Sequence, residues 1–396
     1  MIADTAVLAR RQLASEGGAY TLLLEPQPPP SGRALSGVPF AVKDLIDVEG
    51  TPTRAGSAAF SEAEPAAADA PVVARLREAG AVLVGKTALH EIAFGTTGLN
   101  AYEGTPRNPR DRSRICGGSS SGSAAAVAGG SAAFALGTDT GGSVRIPAAL
   151  CGVVGFKPGF GRLSTAGVLP LATSLDHVGV LAADVATASA AFAAMSPPAP
   201  GDPPLRSIGL DASALESASE PVAAAFERAL KSFRGIEVEE ITPPDPELVM
   251  AASTTILFFE AAAQHRERLR LDPSRYGADV RERLVLGGAM SPESHAEALE
   301  AARAIRSAVI RLLRDFDAIV GPTVAIVAPP LEDAVTDAAL ARRLVEHTRL
   351  ANLTGLPALS LPVPTDGLPV GLQLLGLCDE GVLATAATLE RLLATA

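Results

Sequence analysis

Tryptophan is absent from the 396 residues, and aromatic side chains make up only 4% of the chain. Recognition by stacking on nucleobases or sugar rings is therefore not the expected mode of action. Cys116, Cys151 and Cys378 are too few, and odd in number, for a disulfide framework, and no C-x-x-C pair occurs, which points to a reduced, cytoplasmic setting. With five histidines and no His/Cys/Asp cluster at ligand spacing, no metal or other cofactor is expected. No run of about 18 apolar residues is present, and the opening M-I-A-D-T-A-V-L-A-R-R lacks the apolar core of a signal peptide, so no membrane partner is expected. The net charge of -11 is scattered and argues against a nucleic-acid partner. What remains is a 47% hydrophobic globular chain, rich in Ala and Gly and long enough for a large core.

Residues 1–30 read as a lead-in segment ending in E-P-Q-P-P-P. From there apolar runs alternate with helical patterns. Strands are predicted at Phe40–Val42, Ala81–Val84, Ala133–Leu136, Val153–Phe156, Ile236–Ile241, Ala358–Val363 and Val370–Leu375. Helices are predicted after Asp69, read as a cap with Pro71 in the first turn, and at Thr87–Phe94, Ser121–Ala128 and Ser143–Leu150. Further helices are predicted at Pro221–Phe233, Glu247–Leu271 and Glu293–Phe316. Such alternation predicts an α/β fold with a mixed, largely parallel twisted sheet covered by helices on both faces. The Pro-rich break at Pro197–Pro204 is a candidate boundary, but strands on both sides favour one large domain over 31–396.

Three short motifs mislead. Gly80–Thr87 fits the phosphate-loop spacing G-x-x-x-x-G-K-T, yet its middle residues Ala-Val-Leu-Val are strand where a loop is required. Gly118–Gly122 fits a nucleophile elbow around Ser120, but its best acid and base partners, Asp176 and His177, are adjacent and cannot easily face each other. Asp139-Thr140-Gly141 resembles an aspartic-protease triplet without the second carboxylate that chemistry needs. Asp139 is better read as an acceptor for turn N–H groups or a partner for Arg145. Cys116 and Cys151 read as small buried residues.

The informative stretch is Cys116–Arg145, which carries two Gly-Gly-Ser turns, Gly117–Ser119 and Gly141–Ser143, each opening onto small residues. Upstream, G-V-P-F-A-V-K-D-L-I-D-V (Gly37–Val48) embeds Lys43 in an apolar strand. Serine hydroxyls on exposed backbone turns plus a strand-borne lysine supply the parts of a serine hydrolase that needs no histidine. The bland alternative for Lys43 is a snorkelling lysine paired with Asp44 or Asp47.

These motifs, with R-N-P (Arg107–Pro109), C-G-V-V-G-F-K-P (Cys151–Pro158), N-L-T-G-L-P-A-L-S-L-P and G-L-P-V-G-L-Q-L-L-G, resemble the amidase signature family. The core motifs span 37–179, and about 190–350 is the variable, helical pocket region. The resemblance implies Ser143 as nucleophile, Ser119 as a bridging serine preceded by a cis peptide bond, and Lys43 as general base. It implies the backbone N–H groups of Thr140, Gly141, Gly142 and Ser143 as an oxyanion hole. A free lysine titrates near ~10.4, and burial among hydroxyls is expected to favour its neutral form. The implied reaction is cofactor-free hydrolysis of a small linear amide to carboxylate and ammonia through an acyl-serine.

Substrate contacts are expected from Gly95, Thr96, Gly118 and Thr323, with the Phe94–Asn100 segment and the Gly321–Val324 turn forming mostly small, apolar walls for an uncharged acyl group. Arg145 is expected to brace the turn. A small-molecule amide is the expected partner, and a homodimer stays open. Two alternatives stand beside this reading. One is the glutaminase subunit of a tRNA-dependent amidotransferase, against which G-T-T-G-L-N (Gly95–Asn100) departs from the expected pattern. The other is a non-catalytic docking module.

Overall fold

The computed structural model describes residues 18–27, 32–197 and 205–395. Residues 1–17 and 28–30 of the lead-in, and most of the Pro-rich break, lie outside them. Thirteen strands are described: β1 Tyr20–Leu23, β2 Pro39–Lys43, β3 Val82–Thr87, β4 Arg107–Asn108, β5 Asp111–Ile115, β6 Phe134–Asp139, β7 Val154–Lys157, β8 His177–Ala182, β9 Ser207–Asp211, β10 Glu237–Ile241, β11 Ala318–Pro322, β12 Ala358–Val363 and β13 Val370–Leu375. Eleven form one sheet in the order β1-β3-β2-β6-β8-β7-β12-β13-β11-β9-β10, while β4 and β5 make a separate ribbon.

The sheet is mixed. Parallel pairs join β3, β2 and β6 on one flank and β11, β9 and β10 on the other. Antiparallel pairs join the centre from β6 through β8, β7, β12 and β13 to β11. Both faces are covered, and successive residues along a strand point to opposite faces. On β2 and β6, Phe40, Val42, Phe134 and Leu136 face a core shared with the helices Pro71–Glu78, Val185–Met195, Glu220–Leu230 and Asp379–Leu393. The intervening Ala41 and Ala135 face the small-residue helix Ser121–Ala128 and the helix Arg145–Cys151. Tiny side chains there let helix and sheet approach closely: a Cβ on Gly122 would lie 2.5 Å from Ala88 N.

Helix Pro246–Leu271 is long and apolar enough, by length and composition, to cross a membrane. In the fold it packs against Ala278–Gly288 and Pro292–Leu312 and contributes Val249, Ile256 and Leu257 to a second core.

Several local expectations change. Asp69 does not cap the Pro71 helix: Ala70 occupies that position, and Asp69 instead accepts from Glu49 N (2.8 Å) and pairs with Arg77. The helix expected at Thr87–Phe94 is the end of β3 followed by a single 3-10 turn, Glu91–Ala93. Its backbone donors go elsewhere, Ala88 N to Ala19 O and His90 N to Ser119 O, and positive φ at Ile92 and Ala93 breaks any helix. Strand β1 lies within the segment read as a lead-in and pairs antiparallel with β3.

Candidate active site

β2 and β6 run parallel with Val42 opposite Leu136, so Lys43 and Thr138 emerge together at the carboxyl ends of neighbouring strands. In open α/β sheets this is where clefts form. Lys43 is fully buried, and its Nζ donates to Ser119 Oγ (2.7 Å) and Thr138 Oγ1 (2.8 Å). Neither Asp44 nor Asp47 pairs with it. Asp44 forms an ion pair with Lys86 (2.6 Å), and Asp47 accepts from Thr53 (2.6 Å). Burial depresses the Lys43 pKa to about 7, although Asp139 and Asp176 pull the other way. A lysine whose hydrogen-bond partners are hydroxyls has no carboxylate in contact to hold its proton.

The Gly118–Ser119 peptide bond is cis. Ser120 N donates to Ser143 O (3.1 Å), tying the first Gly-Gly-Ser turn to the second. Ser120 Oγ donates to Thr138 O (3.2 Å), and His177 Nδ1 lies against Leu175 O, so no elbow triad forms around Ser120. Gly118 N is bound to Thr96 O (2.7 Å), and a Cβ on Gly118 would sit 2.6 Å from Gly98 N, so the close approach requires glycine.

The second turn is held from below. Asp139 accepts from Gly142 N (2.7 Å), Val144 N (3.2 Å), Arg145 Nε (3.1 Å) and Asn352 Nδ2 (2.8 Å). Burial pushes the carboxyl up, but the Arg145 charge and hydrogen bonds, with Lys157 and Asn352, more than reverse this and hold Asp139 below the usual carboxylate range. Arg145 also donates to Thr348 O, Gln373 Oε1 and Asn352 Oδ1. Both expectations for Asp139 thus hold at once, and Arg145 braces the turn. The oxyanion expectation needs one correction. The Gly142 N–H donates to Asp139 Oδ1 and is thereby taken from the four amides expected to receive an oxyanion. Gly142 keeps the turn possible through its φ of 128°, where a Cβ would strike Thr348 Oγ1.

A cavity of 270 Å³ opens at this turn, lined by Gly95, Thr96, Thr140, Gly141 and Ser143 on one side. Helix Pro246–Leu271 supplies Met250, Thr254, Leu257 and Phe258 to the lining. Gly118 is not among the residues that line it. Thr323 is corrected outright: it is fully buried, its hydroxyl 2.8 Å from Ser360 Oγ, and neither it nor the Gly321–Val324 turn reaches the cavity. A larger hollow of 680 Å³, lined by Arg228, Lys231 and Asp366 among others, contains none of these groups.

Sequence reasoning missed the part played by five residues. Thr138 supplies the second acceptor for Lys43. Asp176 accepts from Thr140 Oγ1 (2.6 Å) and the Leu171 and Ala172 amides, and burial pushes its pKa to about 6 against those hydrogen bonds. Arginines 283, 342 and 349 line the cavity expected to be mostly small and apolar. A signal for Thr138 existed, since it lies inside L-G-T-D-T-G-G-S. A lone Arg349 in the apolar stretch T-R-L-A-N-L was the signal for the last. Among the described residues no group of three or more His, Cys, Asp or Glu could hold a metal.

Residues 26–380 match the model of the Amidase family. The chain belongs to this family. Among its relatives, AtzE of Pseudomonas sp. (strain ADP), a component of 1-carboxybiuret hydrolase, is 36% identical over 368 residues, covering 86% of this chain and 80% of that protein. A glutamyl-tRNA(Gln) amidotransferase component of Halobacterium salinarum is 35% identical over 408 residues, covering 90% and 96%. A crystal structure of an amidase superposes with a TM-score of 0.84 at 40% identity, covering 91% of this chain and 85% of the other. The amidase fold thus extends over nearly all of the chain, variable region included.

Proposed function

We propose that this amidase hydrolyses a small primary amide to carboxylate and ammonia through an acyl-Ser143 intermediate. The observation that carries the reading is a fully buried Lys43 whose described hydrogen-bond partners are two hydroxyls, set beside the turn that bears Ser143. With its pKa near 7, a useful fraction of Lys43 is neutral at physiological pH. Neutral Lys43 takes the Ser119 proton while Ser119 takes that of Ser143. Ser143 Oγ then attacks the carbonyl, and the Thr140, Gly141 and Ser143 amides receive the developing oxyanion. The relay reverses to protonate the departing ammonia, and water repeats the attack on the ester. All charge is handled by protein groups, so no metal or cofactor enters the scheme.

The test is an ammonia-release assay on purified protein with a panel of small primary amides, with hydroxylamine added to intercept the acyl-enzyme as a hydroxamate. Ammonia and hydroxamate together are expected, in the presence or absence of EDTA. Ammonia release without hydroxamate would remove the acyl-serine step.

The relatives named as components of an amidotransferase favour a second reading, in which the chain is a glutaminase that works with partner chains. Glutamine hydrolysis that appears only on adding such partners would select it. A protein inert toward every amide, alone or with partners, would select the docking-module reading. The reduced cysteines favour the cytoplasm as the place of action.

A further inference from the structure

Arg349 opens the short helix Arg349–Thr354 and lines the cavity beside Ser143. It is 8% exposed, its Nε is buried without a partner, and its one described hydrogen bond is a long contact of 3.4 Å from Nη1 to Ser253 Oγ. The other two arginines of the cavity have counterions. Arg283 pairs with Asp279 (3.2 Å) and donates to Phe94 O, and Arg342 pairs with Glu247. Burial lowers the Arg349 pKa to about 10, and no carboxylate acts against it. A buried cation with no counterion and a single long hydrogen bond is strongly unfavourable, so the site is arranged for an anion that the chain itself does not provide.

The guanidinium lies against Gly141, where an added Cβ would come within 3.3 Å of Arg349 Nε. Gly141 is two residues from Ser143, a span of at most about 7 Å. We propose that the acyl group of the substrate carries a carboxylate, and that Arg349 binds it while Ser143 attacks an amide a few bonds away. This rests on the primary-amide reading above: with ammonia as the leaving group, the charge must sit on the acyl side. Monoamides of short dicarboxylic acids fit the 270 Å³ cavity and offer Arg349 a planar, two-pronged acceptor. The uncharged acyl group expected from the sequence relied on apolar walls that included the Gly321–Val324 turn, which does not reach the cavity.

The experiment compares succinamate with uncharged butyramide, and separately measures succinate binding to the Ser143→Ala protein by thermal shift and calorimetry. Wild-type enzyme is expected to prefer succinamate. Arg349→Met is expected to lower the succinamate-to-butyramide ratio of kcat/KM by at least about 30-fold, as when one partner of a buried charge pair is removed. Arg349→Lys, which keeps the charge without the fork, should retain part of that ratio. Succinate should bind Ser143→Ala and fail to bind the Ser143→Ala, Arg349→Met double variant. Preference for butyramide, an equal loss on both amides, or no succinate binding would overturn the proposal. If neither amide is hydrolysed, the primary-amide reading fails, and the succinate measurements still decide whether Arg349 is an anion site.

Discussion

Arg145 and Lys43 are both fully buried close to the Ser143 turn, yet they are treated in opposite ways. Arg145 is surrounded by a carboxylate, two side-chain amide oxygens and a backbone carbonyl. Lys43 meets two hydroxyls. The same low dielectric therefore fixes one charge and loosens the proton of the other. A saturated cation holds a shape, and an unsaturated one is available for chemistry. Arg349, with a single long hydrogen bond, belongs with Lys43 in this division.

The largest expected effect breaks the unsaturated side. Lys43→Ala and Ser143→Ala should each lower kcat/KM by about 10⁴-fold or more, with Ser119→Ala close behind, and the double variant Lys43→Ala, Ser143→Ala little worse than the worse single one. Steady-state assays with thermal melts check this. Since Lys43 holds no carboxylate in place, its replacement should leave the melting temperature nearly intact, and wild-type-like turnover in Ser143→Ala would end the assignment.

Breaking the saturated side should act on stability first. Arg145→Met leaves Asp139 buried and uncompensated, an effect of about 3–5 kcal/mol in urea unfolding. Activity should fall with it, because the Gly142 and Val144 amides depend on the same carboxylate. A loss of activity at unchanged stability would place Arg145 among the substrate contacts instead.

The smallest effect sharpens the contrast through pH. Relay by Lys43 needs the neutral amine, which is depleted as pH falls through its pKa of about 7. Below that point kcat/KM should drop about tenfold per pH unit. Thr138 Oγ1 accepts from Nζ and so favours the charged form. Thr138→Val should lower the Lys43 pKa further and move the acid limb to lower pH by less than about one unit. An acid limb that stays put or moves upward would remove Thr138 from the account.

What was legible in the sequence follows the same division. The Gly-Gly-Ser turns, Lys43 and the Asp139–Arg145 brace lie within about a hundred residues, and each is a local backbone device that a motif can encode. The strands Ala358–Val363 and Val370–Leu375 were legible because each is a short apolar run bounded by Pro and Gly. Arg283 and Arg349 were not, because they come from the variable region and enter the cavity only through tertiary packing. Thr323 differs for the same reason: the Gly321–Val324 turn is expected among small, apolar pocket walls, while its bonds to Gly371 O and Ser360 Oγ beside the β11–β13 pair hold it in the core. The turn at Glu91–Ala93 was misread as helix because the groups that take its neighbouring amide donors, Ala19 O and Ser119 O, lie far away in sequence.

Strand β1 has a consequence for handling the protein. It pairs with Gly85, Lys86 and Thr87 of the fully buried β3, and Leu24 N donates to Val84 O just beyond its end. Its own anchor is Tyr20, whose hydroxyl lies 2.8 Å from Ser131 Oγ. A chain trimmed to begin at residue 32 would leave the Val84–Thr87 edge of β3 with open N–H and C=O groups, a template for pairing with other molecules. The trimmed protein is expected to self-associate in a concentration-dependent way, because those few residues act as a guard against aggregation.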